Sequence, residues 1–381
     1  MNVYLDNAAT TRIADEVLQE MMPFLTENYG NPSSIHGYGR VAKAAIEKAR
    51  KTVSRYLNAS TAEIFFTGSG TESNNTAIKN SVRDLGVKRI ISSKAEHHCV
   101  LHSVETMQKG GIRIDHVELD AAGRVNFSQL ETLLQDTSAG TTLVSLMHAN
   151  NEIGTVLNLK QLSDLCQQYG AYLHSDTVQT IGYFPIDLKQ IKVHFLSGSA
   201  HKFHGPKGVG FLYINSEIHI GPYLDGGAQE RNMRAGTENV SGIVGLGKAL
   251  DLSVSNMEAN RNHILGLKRY MMNNLLQQIP GVKFNGDITE EGSNYKVLSV
   301  SLPPNPKTDL ILFNLDMAGI AASGGSACTS GSEKASHVLE AIKADVHRKA
   351  VRFSFSKYNT EADIDRAVEV LVKAMATQPT A

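Results

Sequence analysis

The chain has no tryptophan and only three cysteines among 381 residues: Cys99, Cys166 and Cys328. Three thiols so far apart cannot build a disulfide framework, which points to a reducing compartment and leaves each to be judged as a thiol. An excess of charge of one sign is also missing. Lys and Arg total 37 against 38 Asp and Glu, a formal net charge of -1, so no global field attracts nucleic acid or an anionic membrane surface. No apolar run is long enough to span a bilayer, and the opening MNVYLDNAATTR lacks the charged start and apolar stretch of a secretory signal. The expectation is a soluble, cytoplasmic protein with no direct nucleic-acid partner and no membrane partner. No fixed-period repeat is visible, and the one biased stretch is the Ser/Gly-rich 323–332.

Length and alternation are what the sequence does offer. At roughly 100–200 residues per domain, the chain is long enough for two domains with sizeable cores. Val41, Ala45, Ile46, Ala49, Val53, Tyr56 and Leu57 lie along one apolar stripe, which predicts an amphipathic helix over 41–57. Short β-rich runs at 64–67, 89–92, 112–117, 143–148, 171–175, 195–197 and 209–214 alternate with helical patterns. One such pattern carries Leu159, Leu162, Leu165, Cys166 and Tyr169 on one face and ends at Gly170, a C-terminal cap. This alternation predicts an α/β fold with a mostly parallel central sheet sandwiched by helices. The order changes after a long helical pattern over 260–278. A strand at 297–302, a helix at 308–317, a strand at 351–355 and a last helix opening with a capping-box-like Thr360 to Asp363 read as a smaller α+β unit, with the boundary near Ser255.

Five places carry residues suited to chemistry. Thr67-Gly68-Ser69-Gly70-Thr71-Glu72-Ser73 joins a strand to a helix, and the free N–H groups of the new helix with the Thr71 hydroxyl form a phosphate cradle. No Gly-Lys-Ser/Thr follows, so it is not a P-loop, and an ordinary glycine-rich turn reads the same way. Asp176 stands at the carboxyl end of a strand, where open α/β sheets build sites; it suits a protonated pyridine nitrogen, and equally an N-cap for the segment starting at Thr177. Lys202 comes off another strand end in Ser199-Ala200-His201-Lys202, a place for imine chemistry, whereas Lys207 lies in a Gly-Pro-Lys-Gly turn and reads as solvated. His97, His98, Cys99 and His102 are possible metal donors without a second ligand pair at finger spacing, so no metal is expected; one of these histidines could stack on an aromatic cofactor instead. Cys99 and Cys166 read as buried small hydrophobes. Cys328, inside the Ser/Gly-rich stretch, reads as an exposed thiol on a mobile loop or as an incidental thiol in a linker.

Taken together, these segments resemble the cysteine desulfurases of the NifS/IscS type, in the class V aminotransferase group of pyridoxal-phosphate enzymes. The resemblance runs over nearly the whole chain. It covers Tyr4-Leu5-Asp6-Asn7-Ala8-Ala9-Thr10-Thr11, Gly30-Asn31-Pro32-Ser33-Ser34-Ile35-His36, Glu96-His97 and His148-Ala149-Asn150-Asn151-Glu152-Ile153-Gly154. It continues through Ser199-Ala200-His201-Lys202, Arg234-Ala235-Gly236-Thr237-Glu238-Asn239, Ser326-Ala327-Cys328-Thr329-Ser330 and Arg352-Phe353-Ser354. The resemblance implies a fold-type I architecture with a large cofactor domain at 15–255, and a small domain of 1–14 and 256–381 that carries a mobile catalytic-cysteine loop at about 323–334. It implies pyridoxal 5'-phosphate held covalently by Lys202, its ring nitrogen paired by Asp176, its ring hydroxyl bonded by Gln179 and His97 stacked on the ring. Gly70, Thr71, Ser199 and His201 would hold the phosphate, together with Thr237 from a second subunit of a homodimer. Asn151 and Arg352 would take the carboxylate of L-cysteine, and Cys328 would receive its sulfur as a persulfide for an iron–sulfur scaffold or other sulfur-acceptor protein. A selenocysteine lyase or an aminotransferase of the same fold are the rival enzymes, and a cofactor-free assembly protein is the rival outside enzymology. The sequence departs from the family in Thr-Gly-Ser-Gly-Thr, where Thr-Ser-Gly-Ala-Thr is common, and in Ala335, where proline is common.

Overall fold

The computed structural model describes residues 2–324 and 336–375, apart from the side chains of residues 306 and 307. Val3–Tyr4 forms β1. The strands β2 (Ile64–Thr67), β3 (Arg89–Ser92), β4 (Arg113–His116), β5 (Thr142–Ser145), β6 (Tyr172–Asp176), β7 (Phe195–Ser199) and β8 (Gly210–Ile214) make one seven-stranded sheet in the order β2-β8-β7-β6-β5-β3-β4. All neighbours pair in parallel except β8, which is antiparallel to both β2 and β7. The chain explains the exception. The ten residues 200–209 between β7 and β8 are too few for a helical crossover, so the strand returns antiparallel.

Every residue of β3, β5, β7 and β8 is buried, as expected for strands covered on both faces. Gly210 pairs with Thr67 on one side and Ser199 on the other, which brings the carboxyl ends of β2 and β7 to one level. A Cβ at Gly210 would lie 2.8 Å from the Ser69 carbonyl carbon, so only glycine lets the Ser69–Gly70 turn settle there.

The amphipathic helix spans Gly37–Leu57 and packs Ile46, Ala49, Val53 and Leu57 toward the Val240–Ser255 helix. Val41, expected on the buried stripe, is 46% exposed. It belongs to a run of exposed large apolar residues, Leu18, Met22, Leu25, Tyr29, Ile35, Tyr38 and Val41. Gly170, at φ +64, follows the Leu159–Gln168 helix and turns the chain into β6.

A second sheet is antiparallel: β12 (Lys349–Ser354), β10 (Val297–Leu302) and β9 (Lys283–Asn285), in that order. The helices Met257–Gln278 and Glu361–Met375 pack on each other beside it. At the start of the latter, Thr360 and Asp363 exchange the two hydrogen bonds of a capping box, 3.0 and 3.3 Å. The expected helix at 308–317 is Ile311–Met317, preceded by the tighter turn Pro306–Leu310. β1 pairs in parallel with β11 (Ile320–Ala321), and the strap that follows it runs along Ser354 before crossing to the large sheet. Neither β1, β9 nor β11 has a periodic signature, because strands of two or three residues are too short to show one.

One buried ion pair locks a long loop to the sheet. Arg50 holds Glu230 through bonds of 2.7 and 2.9 Å, and Glu230 also accepts the Phe66 N–H at 2.8 Å. Both side chains are 3% exposed, and Glu230 sits at φ +43, a conformation only well-paired surroundings sustain. Arg50→Met should destabilise the fold by about 3–5 kcal/mol in urea unfolding, because the Glu230 charge is left buried without its partner. Replacing both residues by apolar ones should recover much of that loss; equal destabilisation of the single and double variants would contradict it.

Candidate active site

The carboxyl ends of β2, β6 and β7 open on one cavity of about 230 Å³. Gly70, Thr71, His97, Asn151, Asp176, Gln179, Ser199, His201, Lys202 and Arg352 all line it. Thr237 is exposed and is not among the lining residues. Cys328 and the rest of residues 325–335 lie outside the described residues.

The phosphate cradle is the start of the Gly70–Asp84 helix. Ser69 caps it by accepting the Glu72 N–H at 3.2 Å, and the amides of Gly70 and Thr71 stay without a partner among the described residues. Glu72 in turn accepts the Gly68 N–H and pairs with Arg234 at 2.9 Å. A Cβ on Gly70 would sit 2.5 Å from the Val178 methyl, so the helix can start against the wall only there.

Asp176, the last residue of β6, uses one oxygen for each of two neighbours: Oδ1 accepts the Val178 N–H at 2.9 Å and Oδ2 accepts Asn74 Nδ2 at 2.7 Å. The segment after it is a series of turns, not a helix, so Asp176 caps a turn. Asn74 is fully buried, as is His174, whose Nε2 lies 3.0 Å from Asn74 Oδ1 and whose Nδ1 lies 2.8 Å from Ser145 Oγ. Burial pushes His174 down to about 3, so the ring is neutral.

Lys202 ends the single turn Ala200–Lys202 after β7 and donates from Nζ to the Ala8 and Ala9 carbonyls, both at 2.7 Å. Lys207 is exposed. The Lys202 carbonyl accepts the Tyr183 hydroxyl at 3.0 Å and lies 3.4 Å from Nζ of Lys296, a fully buried lysine seated 4.0 Å from the centroid of the Tyr183 ring. Burial, then the charges of Lys202 and Arg352, hold the Lys296 amine well below its ordinary value. His201 bonds Thr10 Oγ1 at 3.1 Å, and burial with the charges of Lys202, Lys207 and Lys296 pushes it down to about 3.

His97 caps the His98–Lys109 helix, its Nδ1 accepting the Cys99 N–H at 3.3 Å. Burial lowers its pKa while Asp176 pulls the other way. Its neighbour Glu96 is buried with Oε2 unpaired, and burial raises that carboxyl to about 8. Cys99, expected as a buried apolar filler, instead lines the cavity; Cys166 is the filler, 1% exposed in the core. The difference arises because Cys99 follows the cap by two residues and so turns toward it.

Arg352 on β12 pairs with Asp6 at 2.7 Å and donates to the Asn151 carbonyl at 3.0 Å, while its Nε has no partner among the described residues. Its backbone bonds Ser323 in both directions, 2.6 and 3.2 Å. On the other side of the Cys328 segment, Ser336 donates to Glu152 at 2.5 Å and His337 to the Glu96 carbonyl at 2.9 Å.

Residues 3–367 match the family described as aminotransferase class-V. The chain belongs to that family. It is 42% identical to the cysteine desulfurase IscS of Dictyoglomus turgidum over 373 residues, covering 97% of this chain and 93% of the relative. It is 43% identical to cysteine desulfurase IscS of Methanosarcina thermophila over 374 residues, covering 97% and 91%. A solved NifS-like protein superposes with a TM-score of 0.90 at 37% identity, over 98% of this chain and 99% of that one. The cofactor of these enzymes is pyridoxal phosphate. The class-V site fits it: two helix-start amides free among the described residues suit a phosphate, Asp176 keeps capacity for a ring N–H, and the buried Gln179 Oε1, with no partner among those residues, suits a ring hydroxyl.

Sequence reasoning gave no role to Asn74, Lys296 or the Ala8 and Ala9 carbonyls, and read Cys99 as a filler. Asn74 alone had a local signal, since it follows Thr71 by three residues and so shares its helix face.

The buried neutral histidines make the site acid-sensitive. Unfolded histidine titrates near 6.5, whereas His174 and His148 are pushed down to about 3 and about 4. Their contribution is complete above pH 6.5 and is lost as pH falls toward 4, by at most about 1.4 kcal/mol per pH unit for each. Glu96 acts with the opposite sign between about 4.5 and 8, so the decisive quantity is a difference of slopes. His174→Gln should flatten the fall of the urea midpoint between pH 6 and 4.5; an unchanged slope would show that His174 does not stay neutral.

Proposed function

We propose that this chain is a pyridoxal-phosphate-dependent cysteine desulfurase, which converts L-cysteine to L-alanine and moves the sulfur onto Cys328. The convergence of Lys202, Asp176, His97 and the free helix-start amides on one cavity carries the reading. Relatives over 40% identical that bear the name cysteine desulfurase agree with it. Nothing in the cavity favours the selenium or aminotransferase alternatives.

Bound pyridoxal phosphate supplies the electron sink for the bond changes at cysteine. The amides of Gly70 and Thr71, with Ser199 and His201, hold the phosphate. Asp176 would pair the ring nitrogen, Gln179 would bond the ring hydroxyl and His97 would face the ring. Lys202 would hold the cofactor covalently, and its Nζ would take the α-proton of cysteine. Arg352 and Asn151 orient the substrate carboxylate. The Cys328 thiolate attacks the substrate sulfur; the S–C bond breaks, its electron pair stays with the substrate β-carbon, which takes up a proton to become the methyl of alanine, and the sulfur remains on Cys328 as a persulfide. Ser323, five residues before Cys328 in the sequence, bonds the Arg352 backbone, which supports this role. The persulfide then passes to an acceptor, an iron–sulfur scaffold or another sulfur-carrying protein.

Residues 15–255 form the large cofactor domain in this reading, and 1–14 with 256–381 the small one. A cytoplasmic location agrees with the cysteine usage. No helix among the described residues is long and apolar enough to cross a membrane.

The active form is a two-fold dimer, the commonest assembly. The exposed run from Leu18 to Val41 offers apolar surface for a second copy, and Thr237, exposed and not among the residues lining its own cavity, serves a partner's phosphate in this reading. Light scattering should give the mass of two chains; an active monomer would overturn this.

Two variants test the chemistry. Borohydride reduction and peptide mapping should find the cofactor on Lys202, and Lys202→Ala should abolish attachment; label on Lys207 would refute the assignment. Cys328→Ser should keep its yellow colour and still shift its spectrum with cysteine, while alanine production falls by about a thousandfold or more. Alanine release at the wild-type rate would make Cys328 a bystander.

A further inference from the structure

The sequence gives Cys99 no role beyond filling space, yet its thiol sits between two groups that the proposed chemistry uses. Sγ lies 3.3 Å from Asn74 Nδ2 and 3.0 Å from His97 Nδ1. The direction of each bond is fixed by its neighbours. Asp176 Oδ2 accepts from the Asn74 NH₂ group at 2.7 Å, and that group has a second N–H to give to Cys99. The Ser197 hydroxyl bonds the other end of the carboxamide, the oxygen, and this agrees with that orientation. On the far side, His97 Nδ1 accepts the Cys99 backbone N–H at 3.3 Å, and an atom that accepts one proton donor has its lone pair, not a hydrogen, on that face. The thiol therefore accepts from Asn74 and from the Thr71 hydroxyl, which also bonds it, and donates its own proton to Nδ1, sharing that nitrogen's one lone pair with the Cys99 N–H.

We propose that Cys99 is a positioning residue: its S–H completes a chain from Asp176 through Asn74 to His97 and holds the imidazole with Nδ1 as acceptor and the proton on Nε2. The chain ties the acid at one edge of the cofactor pocket to the histidine on its face, so neither can turn without breaking a bond in the other's support. This rests on the reading of His97 and Asp176 as cofactor residues. Burial raises the thiol to about 12, so the donated proton is present throughout the working pH range and the sulfur is not a second nucleophile. The charges facing His97 are Asp176, Lys202, His337 and His102, and those facing Cys99 are Asp176 and Glu96; His98 stands next to both. A donor to Nδ1 stabilises the neutral ring, so removing it must raise the pH at which His97 takes a second proton.

The test uses the holoenzyme and the same chain stripped of cofactor, as wild type, Cys99→Ala and Cys99→Ser. The infrared S–H band lost in Cys99→Ala should lie below the band of Cys166, whose thiol sits in the apolar core. Nitrogen-15 spectra of histidine-labelled protein, with His97 assigned from His97→Gln, should show an unprotonated Nδ1 in the neutral wild type. The His97 midpoint should rise by roughly half to one pH unit in Cys99→Ala, as expected for one net hydrogen bond, and return toward wild type in Cys99→Ser. A Cys99 band at the Cys166 frequency, or the same His97 midpoint with and without the thiol, would overturn the proposal. A packing role alone would leave both signals unmoved. Because both are also read without cofactor, they stand or fall separately from attachment at Lys202.

Discussion

A guanidinium is buried where three stretches of chain meet, and its need for partners organises what lies around it. Arg352 is 2% exposed, on the middle of β12. Asp6 of the N-terminal strap neutralises it, the Asn151 carbonyl from a turn beyond β5 takes a second donor, and Ser323 pairs with its backbone. Leaving such a charge alone in the interior would cost about 3–5 kcal/mol, so the strap cannot drift from β12. Two residues beyond Asp6, the same strap presents the Ala8 carbonyl, which together with that of Ala9 receives Lys202 Nζ. A pairing made on the small sheet thus fixes the amine that comes off the large one. The cavity between them exists only while both hold.

The Lys202 turn is gripped from behind as well. Thr11 accepts the His204 N–H and donates to the His201 carbonyl, while Tyr183 and Lys296 face the carbonyl of Lys202 itself. Placing a second amine this deep costs desolvation, and the Tyr183 ring face offsets part of it. The turn is short, three residues, and would not hold its shape by its own hydrogen bonds.

The sheet was legible because it is written locally. Runs such as Thr142–Ser145 and Phe195–Ser199 are buried on both faces and are apolar or small throughout, and helices of ten residues or more repeat their apolar face often enough to be seen. Asp176 and Lys202 were legible for a related reason: each is a charge directly at a strand's end. What escaped depends on contacts between distant parts of the chain. Val3 pairs with Ile320, Asn74 meets Asp176 and Lys296 meets Lys202, and no spacing within a window reports any of them. Val41 misled because periodicity identifies an apolar stripe without saying where on its length the covering helix stops.

Several residues of the cavity also shape the backbone, which explains why position alone left two readings of Asp176. Asp176 caps a turn at Val178, His97 caps a helix at Cys99, and Ser69 caps the helix that forms the cradle. The two readings do not compete for the same atoms. A carboxylate offers about four acceptor sites, and Asp176 spends one on Val178 and one on Asn74, so a cation can still approach it. Imidazole has two nitrogens, and the cap occupies only Nδ1 of His97. Capping fixes the backbone that carries the side chain, and the atoms left over are then aimed without a further loss of rotamer freedom at binding. A site assembled this way loses position and chemistry together when a cap is removed, so the structural and the chemical role of such a residue are one constraint.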